Sequence, residues 1–83
     1  MTIAEIRKEL KEIHEEMKKW DGAKGPFTPQ AIRRRELILL KQQILYRLED
    51  AILLKDKTAK LFNLDLYKII DKYLLELERD KND

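Results

Sequence analysis

Three consecutive arginines, Arg33-Arg34-Arg35, are the residues in this chain best suited to hold a ligand. They follow Thr28-Pro29, a pair that caps and opens a helix. That places them in the first two turns, where backbone N–H groups point outward and the helix dipole is positive. Each arginine there opposes the dipole by roughly a few tenths of a kcal/mol, and an anion at the site relieves the conflict. Lys18, Lys19 and Lys24 lie just upstream. Lys18, Lys19, Lys24, Arg33, Arg34 and Arg35 are therefore the candidate polyanion-binding set, for a nucleic acid or a smaller phosphate. A plainer role competes with this one. Successive helical residues point about 100° apart, so the three arginines cannot all face one ligand. One or two of them are expected to pair with Glu12 or Glu16 on the neighbouring helix, for about 0–1 kcal/mol each.

The net charge of +2 hides this pole. Residues 1–17 carry −2, residues 18–47 carry +6 and the remaining 36 carry −2. The total is low for a dedicated nucleic-acid binder. The sequence also contains no zinc-ligand spacing, glycine-rich single-strand clamp or RNP-type aromatic pattern.

Other chemistry is sparse. There is no cysteine, which excludes disulfides, thiolate metal sites and cysteine nucleophiles. The single histidine, His14, has Leu10, Lys11, Met17 and Lys18 as its helical neighbours, with no carboxylate or second histidine among them. No E-x-x-H occurs, so the di-metal helical signature is missing. No catalytic residue, metal site or cofactor is expected, and the chain does not read as an enzyme.

The elements that position these residues are legible from apolar spacing. Ile3, Ile6, Leu10, Ile13, Met17 and Trp20 follow one another at steps of 3, 4, 3, 4 and 3, with mostly charged residues between them. That is one apolar seam on a helix over about 3–20, which must dock on another helix to be stable. Thr2 and Glu5 form a T-x-x-E capping box at its start. Both glycines and both prolines fall within 22–29, giving a loop over 21–28. Trp20 and Phe27 flank this loop and are expected to close one end of the core. The loop is too long and glycine-rich for a helix-turn-helix.

The second helix is expected over about 29–61, because no strong breaker follows Pro29 until Asn63; a weaker alternative ends it near Lys57 and starts the third helix at Thr58. Leu37, Leu40, Ile44, Leu48 and Ala51 form one face, and further apolar residues wrap it, as suits a central element covered on more than one side. A third helix is expected over about 64–80, with Asn63 or Asp65 as its cap and Leu66, Ile70, Tyr73 and Leu77 facing inward. Tyr46, Tyr67 and Tyr73 are expected to pack with rings inside and hydroxyls at the rim.

Within the first helix, Ile6-Arg7-Lys8-Glu9-Leu10-Lys11 resembles the opening L-R-x-x-I-D of the all-helical chorismate mutases. Those are small three-helix chains that dimerise and hold a dicarboxylate with arginines. The resemblance implies that Arg7 would reach a partner's site. Lys11 stands where that family has an acid, and the first helix breaks at Gly22 where that family has a long unbroken one. The six matching residues therefore assign no activity.

The chain thus reads as one all-α domain over 1–83. It is either a three-helix antiparallel bundle or an elongated helical hairpin with a long central helix, in both cases completed by dimerisation. Leu53, Leu54, Leu61, Phe62 and Leu64 crowd the second break and are the candidate interface. The expected partner is a second copy or another helical protein, with nucleic acid as the alternative. No apolar run suits a signal peptide or a membrane span, so a cytoplasmic protein without membrane contact is expected.

Overall fold

The structure is a computed structural model that describes residues 1–23 and 25–80. It is all-α, with three helices: α1 (Ile3–Gly22), α2 (Pro29–Leu53) and α3 (Lys57–Asp80). No strand occurs among the described residues.

Local chemistry accounts for the first two helix starts. The Glu5 N–H donates to Thr2 Oγ1 and the Thr2 N–H donates to Glu5 Oε1, both at 3.2 Å, which completes the capping box. These bonds to Thr2 also hold the Glu5 carboxyl below the usual carboxylate range. At α2, the Ala31 N–H donates to Thr28 Oγ1 at 3.1 Å and Pro29 takes the first helical position. α1 runs two residues beyond the expected stop at Trp20, and the Ala23 N–H closes it on the Trp20 carbonyl.

The second break lies elsewhere than the spacing predicts. α2 ends at Leu53, eight residues before the expected end, and α3 starts at Lys57 rather than 64. The turn is a Schellman cap built without glycine. The Asp56 N–H donates to the Ala51 carbonyl and the Lys55 N–H to the Ile52 carbonyl, while Lys55 itself sits at φ 57. Asp56 then caps α3, its Oδ1 accepting from the Ala59 N–H at 3.0 Å. Asn63 is no cap. It is buried within α3, and its Nδ2 donates to the Ala59 carbonyl at 2.8 Å. There is accordingly no long central helix: the three helices have 20, 25 and 24 residues.

A β-carbon at left-handed φ is unfavourable, and Lys55 carries one. Lys55→Gly is therefore expected to stabilise the chain by about 0.5–1 kcal/mol, read as a higher urea midpoint at unchanged slope. An unchanged or lower midpoint would contradict the turn as described.

The core is a single cluster drawn from all three helices. Ile6, Leu10 and Ile13 enter from α1, Ile38, Ile44, Leu45 and Leu48 from α2, and Ile70 and Leu74 from α3. Leu37, Leu66 and Tyr67 are among the half-buried residues packed against it. Trp20 and Phe27 do meet, with ring centroids 5.1 Å apart, but neither belongs to this cluster. Tyr46 and Tyr73 are exposed rather than inserted.

Candidate functional site

Two features concentrate chemistry: a polar junction where the three helices meet, and the basic residues at the start of α2. The junction is built from Glu9 of α1, Lys41 of α2 and Tyr67 and Asp71 of α3. Lys41 Nζ lies 2.8 Å from Asp71 Oδ1 and 3.8 Å from Glu9 Oε1, and 5.1 Å from the centroid of the Tyr67 ring. The Tyr67 hydroxyl donates to Glu9 Oε1 at 2.6 Å. Glu9 Oε2 is buried without a hydrogen-bond partner. One carboxylate thus takes a phenol and an ammonium on the same oxygen, and the ammonium is shared with a second acid.

One step along the same seam, Arg34 pairs with Glu16 at 3.0 Å and Glu78 at 3.2 Å. A small cleft of about 180 Å³ lies between the two groups, lined by Glu9, Glu12, Glu16, Arg34 and Lys41 over a floor of Ile13, Ile38 and Leu74. Both of its cations are already held by carboxylates, and the lining carries three acids to two cations. It fastens the helices to one another and offers no vacant cation to an anionic ligand. Among the described residues, no three His, Cys, Asp or Glu side chains are placed to hold a metal ion.

Burial pushes the Tyr67 phenol above its ordinary range, and its bond to the Glu9 carboxylate pushes it further. The folded chain favours the neutral phenol. The stability this contributes is intact below about pH 10, the ordinary phenol value, and is lost as pH rises through the folded value. Tyr67→Phe also removes a donor from a partly buried acid, at a cost of about 1–2 kcal/mol near neutrality. The difference between wild type and Tyr67→Phe should therefore narrow as pH rises above about 10, as chemical denaturation at each pH will show. A constant difference would mean that the hydroxyl is not coupled to Glu9.

The structure divides the basic residues singled out by sequence. Arg34 turns inward to Glu16 and Glu78, whereas Arg33, Arg35, Lys18 and Lys19 are exposed. Lys24 lies outside the described residues. The run therefore does not converge on one point, and its central member is occupied within the chain. His14 meets only a neutral partner, the Tyr46 hydroxyl, at 3.3 Å. Arg7, whose Nε lies 3.7 Å from Glu49 Oε2, is a surface pair at the other end of α1.

Of the candidate interface residues, Leu53, Leu54, Leu61 and Phe62 are 60, 79, 63 and 61% exposed around the α2–α3 turn. Leu64 differs: it is half-buried and packs against the core, so it is part of the protomer's own interior. Sequence reasoning missed Lys41, Tyr67 and Asp71 as a group, because their meeting depends on the register between two helices.

Comparison with protein-family models, with curated proteins and with solved structures gives no match. No helix among the described residues is long and apolar enough to cross a membrane.

Proposed function

We propose that this chain is a small interaction module: an antiparallel three-helix bundle that recognises other helices by packing and performs no chemistry of its own. The ion pairs support the antiparallel arrangement. Arg7 near the start of α1 meets Glu49 near the end of α2, and Glu16 near the end of α1 meets Arg34 near the start of α2. Lys41 with Asp71 and Arg34 with Glu78 set α3 against α2 in the same reversed sense.

The observation that carries the interaction reading is the amount of large apolar surface left uncovered. Leu53, Leu54, Leu61 and Phe62 crowd one end of the molecule, and contiguous apolar patches of this kind mark interaction sites. The proposed partner is a second copy of the chain or another helical protein, met in the cytoplasm. Sedimentation equilibrium over a wide concentration range tests self-association. A mass above that of the protomer supports it, and a monomer at the highest concentration removes it.

The second reading is polyanion binding through Lys18, Lys19, Arg33 and Arg35, supported by their exposure at the basic pole. Arg33→Glu with Arg35→Glu should then abolish salt-dependent retention on heparin while leaving helicity unchanged. Retention that survives both substitutions would reduce these residues to solvated surface.

A further inference from the structure

α3 carries two apolar seams, and the chain covers only one. Asn63, Ile70 and Leu74 face the core. Phe62, Leu66, Ile69 and Tyr73, at steps of 4, 3 and 4, line a different side of the helix. Leu66 is half-buried against the core, whereas Phe62, Ile69 and Tyr73 are exposed, as is Leu40 on the adjacent flank of α2. Leu37 and Leu77 line the groove between the two helices there. α1 lies away from this side: its hydrogen bond to α3 runs through Tyr67, which helical periodicity places on the other flank.

We propose that this outer α2–α3 face is the docking surface for a second copy of the chain, with the two-fold axis along the helices so that α2 of each copy lies on α3 of the other. The inference rests on the self-association reading above and names the surface and its symmetry.

Area and charge both point to a second copy. The protomer is a thin slab, 43 × 26 × 15 Å, with a radius of gyration of 14.1 Å, against about 12 Å for a compact chain of this length. It exposes 6400 Å², against about 5200 Å² for a monomer of its mass. The excess, about 1200 Å², is enough for the roughly 800 Å² that each partner contributes to a standard interface.

The borders of the face are complementary to each other. Its α2 border carries Arg33 and Arg47 with Glu36 between them, for a net +1, and its α3 border carries Asp65 and Glu76 with Lys72 between them, for a net −1, all exposed. The Lys41–Asp71 and Arg34–Glu78 pairs fix the level of one helix against the other. They place Arg47 level with Asp65, and Arg33 within a turn of Glu76. An axis along the helices lays each basic border on the partner's acidic border at these same levels. An axis across them would set α2 against α2, facing Arg33 with the partner's Arg47, and acid against acid on α3. Like charges so placed are unfavourable.

Ile69→Asp with Tyr73→Asp changes two exposed positions, so helicity should persist while the dimer dissociation constant rises about thirty-fold or more. Leu53→Asp with Leu54→Asp, at the turn, should leave the dimer intact. The axis is read by crosslinking, since the chain has no cysteine of its own. A short bismaleimide should join Arg47→Cys protein to Asp65→Cys protein. Crosslinks between Arg33→Cys and Arg47→Cys proteins instead would overturn the axis. A dimer broken only by the turn substitutions would overturn the surface and leave self-association standing. A wild-type monomer at every concentration would overturn both.

Discussion

Truncation of Leu48 to alanine is expected to remove about 3–4 kcal/mol of stability, among the largest losses from a single side chain of the core. Leu48 is wholly enclosed, as are Ile6 and Leu45. Its removal loses both the transfer energy of the deleted methyl groups and the contacts around the space left behind. The surrounding helices cannot close that space freely, because the ion pairs of Lys41 and Arg34 hold them apart at fixed levels. A chain of this size has about 4–12 kcal/mol in total, so the variant should be partly unfolded at 37 °C. Leu54→Ala is the matched control: at 79% exposure, the same substitution should cost within about 0.5 kcal/mol. Urea midpoints at equal protein concentration decide the comparison, since self-association adds stability by mass action. Equal losses at the two leucines would mean that Leu48 does not occupy the core.

The contrast between Leu48 and Leu54 also marks what could be read from the chain beforehand. α1 and the start of α2 were legible because their signals are local and strong. Thr2 with Glu5 and Thr28 with Pro29 each satisfy orphan N–H groups within one turn. The seam Ile6, Leu10, Ile13 was legible because a charged helix with one apolar line has one way to dock. The end of α2 was hidden. Lys55 takes the left-handed position usually filled by glycine, and Asp56 caps without a glutamate three residues on. No residue type announces either role. Asn63 is hidden for the complementary reason: as a buried side chain it donates its Nδ2 to the Ala59 carbonyl and leaves its Oδ1 without a partner, and nothing in its identity separates that use from a cap.

At the charged residues, legibility followed the number of helices involved. The pairing of one arginine of the run with Glu16 was foreseeable from the expected antiparallel return of α2 on α1. The second partner, Glu78, was not, because it depends on where α3 begins. An error of seven residues in that start moves every α3 side chain two turns along α2. The same error scattered Lys41, Tyr67 and Asp71, which the true register brings together. It also conceals that α3 has two apolar seams, since the spacing alone turns Tyr73 toward the interior.

Lys41 is where that register carries the most energy. Its side chain is 16% exposed, and its ammonium lies between the side chains of Glu9, 27% exposed, and Asp71, 41% exposed. Lys41→Met keeps the aliphatic bulk and removes the charge, leaving two carboxylates facing each other across the junction with only the Tyr67 hydroxyl to serve them. Stripping one partner from a fully buried pair costs about 3–5 kcal/mol. Asp71 is open enough to water to reduce that here to about 2–3 kcal/mol. Almost none of this is the intrinsic worth of the lysine: it is the cost of uncompensated acid, and it should vanish with the acid. Adding Glu9→Gln and Asp71→Asn to Lys41→Met should recover most of the loss. Denaturation midpoints of the single and triple variants test this. A Lys41→Met loss that persists unchanged in the triple variant would show that packing of the lysine stem, rather than charge balance, holds the three helices in register.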